Sequence, residues 1–217
     1  RTFLKSTAAS AAAVGFPTIV PSSVFGQNAP SNRITMGVVG WGMMGPGNTN
    51  NFLGQKDCQV VAACDIDKNA LKSATDKING KYKNKDCKAY HDYKEMIARD
   101  DIDSVMLAVP DNWHCLTAVE AANAGKDIYG EKPLARTVAE QQAIVSAVQK
   151  NKRVWQTGSW QRSVSNFHKA CEVVRSGLLG KITRVEIGLP SGHHDFAGTK
   201  DRMSVTDPPE RLDYKTW

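Results

Sequence analysis

Three glycines at G-x-G-x-x-G spacing, Gly40-Trp41-Gly42-Met43-Met44-Gly45, and an acid 20 residues further on, Asp65, are the parts needed to hold a dinucleotide. Each position has its own reason. Gly40 permits a tight turn, Gly42 removes the side chain where a pyrophosphate must approach the backbone, and Gly45 lets a helix pack closely on a strand. The free amides of Met43, Met44 and Gly45 at a helix start would receive the phosphates. Asp65 would accept hydrogen bonds from the ribose hydroxyls and repel a 2′-phosphate, which favours NAD over NADP, with Lys68 as the nearby residue that softens the preference.

The elements that must position these residues are legible around them. Arg33–Val39 reads as a buried strand leading into the glycines, and Gln59–Cys64 as a second strand ending at Asp65. Residues 46–51, with Pro46, Gly47, Asn48, Asn50 and Asn51, make a poor helix start, although proline is tolerated in a first turn. Asp67 can cap a helix over Lys68–Ile78. Short elements follow: a strand at Lys88–Tyr90, a helix at His91–Arg99 and an apolar strand at Ser104–Val109, stopped by Pro110. Beyond these, the pattern gives a helix over His114–Ala124, a strand at Asp127–Tyr129, a helix over Thr137–Lys150 and a strand over Arg153–Thr157. Strands and helices alternating at this spacing predict a doubly wound α/β fold with a parallel sheet covered on both faces.

Ligands of such a sheet bind beyond the carboxyl ends of its strands. The loops there are Gly40–Gly45, Asp65, Pro110-Asp-Asn-Trp-His114, Gly130-Glu-Lys-Pro133 and Gly158-Ser-Trp-Gln-Arg162. Past Gly158 the character changes. Phe167, Ala170, Cys171, Val174 and Leu178 form one apolar helical stripe, read as core packing, and Lys181–Ile187 alternates as a strand exposed on one side.

The glycine turn, Asp65, Glu131-Lys132-Pro133 and Gly158-Ser-Trp-Gln-Arg162 together resemble the Gfo/Idh/MocA oxidoreductases, from about Arg33 to the end of the chain. The resemblance implies an NAD(P)-binding Rossmann domain over residues 33–157. Residues 158–217 would then begin a second α/β domain with a large open sheet that binds substrate and builds homo-oligomers. It implies hydride transfer between a sugar or polyol hydroxyl and nicotinamide, or, as in some exported relatives, glycoside cleavage by oxidation, elimination and re-reduction. A nucleotide-binding module without catalysis is the alternative from another class.

By position, Lys132 would meet the substrate hydroxyl and move its proton, and Glu131 would lie near the nicotinamide ribose. Pro110, Asn112 and His114 would lie near the ribose and nicotinamide, unless His114 only begins its helix. Trp160, Gln161 and Arg162 stand beside nicotinamide or substrate, or pack domains together. A lysine acts as a base only when desolvation or a neighbouring cation depresses its pKa, which a rim of Trp113 and Trp160 would provide. Otherwise Lys132 is a surface residue paired with Glu131.

The rest of the chain excludes other classes. It has 217 residues, 41% apolar and 23% charged, with no uninterrupted apolar stretch of membrane-spanning length. Its net charge of +6 falls to +3 once residues 1–33, which hold Arg1, Lys5, Arg33 and no acid, are set aside. No basic stripe with interleaved aromatics remains to suggest nucleic acid. Five scattered cysteines form no C-x-x-C pair and read mostly as small core residues. His193-His194-Asp195 lacks further ligands at suitable spacing, so no metal is expected.

Residues 1–32 read as an export leader and linker: Arg1-Thr-Phe-Leu-Lys5, then apolar Ala8–Val14, then a Pro/Ser/Asn-rich stretch. They resemble a twin-arginine leader entered at its second arginine, which implies an extracytoplasmic protein exported already folded around its coenzyme. The family's second catalytic segment, Asp-x-x-x-His, has no match before Trp217. The sequence is therefore read as partial, able to bind coenzyme and unable to turn over a substrate by itself.

Overall fold

Ile-Thr-Met-Gly-Val-Val, short, apolar and rich in β-branched residues, forms the central strand β1 (Ile34–Val39) of the computed structural model, which describes residues 32–189 and 204–217. Five strands run parallel to it: β2 (Cys58–Cys64), β3 (Lys88–Tyr90), β4 (Ser104–Leu107), β5 (Asp127–Gly130) and β6 (Trp155–Thr157). Their order is β3-β2-β1-β4-β5-β6. Parallel neighbours need crossovers, supplied by α1 (Gly45–Leu53), α2 (Lys68–Tyr82), α3 (Tyr93–Ile97), α4 (His114–Asn123) and α5 (Val138–Lys150), with α6 (Ser165–Arg175) following β6. The winding reverses between β1 and β4, which opens a crevice at the carboxyl ends of the strands. This is the expected doubly wound sheet.

Alternation along the strands fills both faces. Met36, Val38, Val60 and Met106 pack with Leu53, Ala74 and Ile78 of α1 and α2. Val39, Ala62, Val105 and Leu107 pack with Met96, Ala118, Ala121 and Ile144 of α3, α4 and α5. A register shift between Met36 and Gly37 against β2 keeps Val60 and Ala63 on one face although they are three apart. Gly37 has no side chain because Met96 lies over it, 2.8 Å from where a Cβ would be.

Local signals set the helix starts. Asp67 accepts from the amides of Asn69 and Ala70, Asp92 from that of Lys94, and Thr137 with Glu140 forms a reciprocal capping box. Helix α2 passes Ile78 and runs on to Tyr82, whose hydroxyl accepts from the Val60 amide at 3.0 Å and so ties the last turn to the sheet.

Two expectations past β6 are corrected. The stripe of α6 joins no core among the described residues, for every residue of that helix is exposed to some degree and Phe167 is 51% exposed. Lys181–Ile187 forms no strand. A strand needs a neighbour for its N–H and C=O groups, and none lies beside it among the described residues.

Candidate functional site

The turn after β1 is dictated by contact. Gly40 has φ of +89°, and a Cβ there would lie 2.4 Å from the Ala108 carbonyl oxygen. A Cβ on Gly45 would lie 2.2 Å from the Gly40 carbonyl oxygen, while one on Gly42 would enter open space. The chain is thus pinned at both ends of the turn and open in the middle. The amides of Met43 and Met44 precede α1 and make no hydrogen bond to a described residue, so the opening presents donors of the kind a diphosphate accepts. Pro46 sits in the first turn of α1, where a missing N–H costs nothing.

Asp65 stands where β2 ends, half-buried. Its Oδ2 accepts the Trp41 amide at 2.7 Å and its Oδ1 the Asp67 amide at 2.8 Å. Each oxygen keeps a lone-pair site for a ribose hydroxyl. The Trp41 indole donates to Ser73 on α2 at 3.2 Å, which fixes the turn laterally. Lys68 is not on the cleft wall. Lys94 is, with its ammonium 3.4 Å from Glu120.

The far end of the same cleft, about 860 Å³ in volume, holds Pro110, Trp113, Glu131 and Lys132. Glu131 is 4% exposed, accepting from the Asn48 side-chain amide at 2.7 Å and from the Lys132 main-chain amide at 3.3 Å. Gly158 makes room for it, since a Cβ there would lie 2.6 Å from its Oε1. Lys132 is exposed on the wall, and its bond to Pro133 is cis.

His114 begins α4 and turns inward. Its Nε2 lies 2.9 Å from the Val109 carbonyl and its Nδ1 against the Pro133 carbonyl, so the ring joins two rim loops from behind the wall. Asn112 is exposed and lies off the wall, and so do Trp160, Gln161 and Arg162, in the turn Trp160–Ser163. Of the two tryptophans expected to close the rim, only Trp113 lines the cleft.

Two contributions escaped the sequence reading. Asn48 was a poor helix former, and that cost was the available signal of a role for its side chain. The other is residues 211–217, which return to the cleft. Leu212 bridges Asp67, and the Lys68 amide donates to the Arg211 carbonyl. The Arg211 guanidinium lies on Asp67 at 2.8 Å. Asp213 meets His91 at 2.9 Å, and hydrogen bonds from Thr216 and then His91 hold its carboxyl down at about 2. Leu212, Thr216 and Trp217 complete the wall, with the Trp113 indole donating to the Trp217 carbonyl at 3.2 Å. The scattered apolar residues of this polar stretch were its only mark.

No group of three metal-ligating side chains occurs among the described residues, and residues 193–195 lie outside them. No described helix is long and apolar enough to cross a membrane.

A family model described as an oxidoreductase family with an NAD-binding Rossmann fold matches residues 34–159, from the first residue of β1 to just past β6. Inositol 2-dehydrogenase of Salmonella typhimurium is 33% identical over 165 residues, which cover 75% of this chain and 46% of the relative. Glycosyl hydrolase family 109 protein 2 of Shewanella sp. strain ANA-3 is 29% identical over 212 residues, covering 86% and 44%. Myo-inositol 2-dehydrogenase from Lactobacillus plantarum, a solved structure, superposes with a TM-score of 0.63 at 25% identity over 69% of this chain and 43% of that one. The chain spans about half the length of the curated relatives it matches. A glycine turn opening on unpaired amides, an acid at the end of β2 and a family match over the whole sheet agree: the chain belongs to the Gfo/Idh/MocA oxidoreductases and carries their NAD-binding Rossmann domain.

Proposed function

We propose that the chain is the coenzyme-binding part of an NAD-dependent oxidoreductase that exchanges a hydride with a sugar or polyol hydroxyl. The observation that carries this reading is one cleft with a diphosphate grip and Asp65 at one end and Glu131 and Lys132 at the other. The amides of Met43, Met44 and Gly45 take the diphosphate, and Asp65 takes the ribose hydroxyls and repels a 2′-phosphate, which selects NAD over NADP. Bound nicotinamide supplies the hydride acceptor. Lys132 faces the substrate hydroxyl and, as the neutral amine once bound coenzyme and substrate cover it, receives its proton at Nζ, while Glu131 orients the loop that presents it and Trp113 excludes water from the rim. Pro110 lines the reactive end, and His114 acts from behind the wall by holding the Val109 and Pro133 loops together, whereas Asn112 and Arg162, off the wall, are given no part in the coenzyme contacts.

A second reading, glycoside cleavage by oxidation, elimination and re-reduction, is favoured by one observation. The match to the glycosyl hydrolase family 109 protein extends over 86% of the chain, against 75% for the inositol dehydrogenase. Both reactions begin with the same hydride step. In this proposal residues 1–32 are an export leader of twin-arginine type and linker, 33–157 the coenzyme domain and 158–217 the beginning of the substrate and oligomerisation domain. Residues 1–31 lie outside the described structure.

The test is to purify the full-length protein and look by mass for co-purified nicotinamide coenzyme. Polyols, sugars and aryl glycosides are then screened for reduced-coenzyme absorbance and for released aglycone. Polyol-dependent reduction supports the dehydrogenase, and aglycone release without net reduction supports the glycosidase. Coenzyme binding with neither activity points to a non-catalytic module, and no uptake of NAD or NADP at millimolar concentration overturns the reading.

A further inference from the structure

The buried carboxylate of Glu131 is not within ion-pair distance of any described cation, and the side chain that faces it comes from the helix that follows the glycine turn. Asn48 lies on α1, three residues past Gly45, and is 7% exposed. A carboxylate only accepts, so Asn48 presents its NH₂ to Glu131 Oε1, at 2.7 Å, across 83 positions of sequence. Glu131 Oε2 in turn accepts the Lys132 amide, and bare Gly158 leaves the carboxylate one place to lie. The helix that follows the diphosphate turn is thereby joined side chain to side chain to the loop that carries Lys132.

We propose that Asn48 is a positioning residue that sets the span between the diphosphate grip and the Glu131-Lys132 loop, so that the two halves of a dinucleotide are held in one register. The proposal rests on the coenzyme reading above. It gives the asparagine a reason to occupy a helix turn that its backbone preferences disfavour. It also separates two ligands. ADP uses the glycine turn and Asp65 alone, whereas NADH must reach both ends.

The experiment measures ADP and NADH binding, by calorimetry and by NADH fluorescence, to the full chain and to the variants Asn48→Ala, Asn48→Asp, Glu131→Gln and Asn48→Asp with Glu131→Gln. Asn48→Asp keeps the shape and sets two carboxylates face to face. In Asn48→Asp with Glu131→Gln, the glutamine amide donates to the new carboxylate and the bond is restored with its polarity reversed. ADP affinity is expected to stay within about twofold in every variant, which also reports a folded turn. NADH should weaken about tenfold or more in Asn48→Ala and Asn48→Asp, as for loss of a hydrogen bond to a charged group. In the Glu131→Gln background, Asn48→Asp should cost less than about threefold. An equal loss of ADP and NADH in Asn48→Ala, an unchanged NADH affinity there, or the same cost of Asn48→Asp in both backgrounds would overturn the proposal. A parent chain that binds neither ligand overturns the coenzyme reading itself, and this proposal with it.

Discussion

The main-chain amide of Trp41 donates to Oδ2 of Asp65 across 2.7 Å, so the acid that closes β2 also braces the glycine turn that closes β1. Asp65 therefore has two separable effects, one on the shape of the turn and one on the charge a ribose meets. Asp65→Asn keeps an acceptor and loses the charge. It should retain NAD binding within about tenfold while relaxing discrimination against NADP by on the order of tenfold. Asp65→Ala loses the brace as well, and NAD affinity should fall by about ten- to a hundredfold. Calorimetric titration of both variants with NAD and NADP separates the two effects.

Gly45 and Gly47 lie two residues apart on α1 in opposite situations. A Cβ at Gly45 meets the Gly40 carbonyl at 2.2 Å, and one at Gly47 meets nothing within 4 Å. Gly45→Ala is expected to destabilise the fold by roughly 2–4 kcal/mol, since backbone rather than a flexible side chain must yield. Gly47→Ala should stabilise it by roughly 0.5–1 kcal/mol through reduced unfolded-state entropy and better helix propensity. Urea midpoints of the two variants should move in opposite directions.

Lys132 is exposed on the cleft wall and its backbone, through Glu131, is held in the floor. In the full-length protein, Lys132→Ala should lower turnover by on the order of a hundredfold or more with NAD affinity largely intact, the pattern of a group that acts in the transition state. Steady-state kinetics beside NADH titration checks this, and lost affinity with unchanged turnover would remove Lys132 from the chemistry.

Burial pushes the Cys58 thiol up to about 11, with Asp57 adding to it, and the Cys64 thiol up to about 12, with Asp65 adding to it. The folded chain holds these protons more tightly than the unfolded chain. Their contribution to stability is therefore complete below the ordinary thiol value of 9.0 and is lost as pH rises toward about 11 to 12. Urea midpoints should fall between pH 9 and 11, and Cys64→Ala should flatten that fall relative to the parent. At pH 8 a thiol reagent should label exposed Cys171 quickly, and Cys58 and Cys64 only on unfolding.

The parts of the fold written in local pattern were legible. The alternation of apolar strands and helices predicted all six strands of the sheet to within a few residues, because the central strands β1, β2 and β4 are largely buried and three of the five crossover helices, α2, α3 and α5, begin at a polar side-chain cap. The glycine turn and Asp65 were legible for a related reason, since their spacing is set by one strand–turn–helix–strand unit. Relations between distant elements were not. Nothing local shows that Asn48 faces Glu131, or that His114 spends both ring nitrogens on carbonyls of two loops. Lys181–Ile187 carried the periodicity of a strand, but periodicity supplies one face and not the neighbour that a ladder requires. The stripe of α6 likewise announced an apolar face without saying what, if anything, covers it.

Residues 211–217 give the cleft a wall of different origin from the rest. Arg211 reaches Asp67 across 144 positions, Asp213 reaches His91 across 122, and most of the segment's residues are exposed. Contacts so remote in the chain and so thinly buried come apart more cheaply than a sheet. The Asp213 and Trp217 amides should accordingly exchange with deuterium well before those of Val38 and Val105. The contacts that tie this segment to the start of α2 are separate from the ladders of the sheet, so their opening leaves every strand of the platform in register.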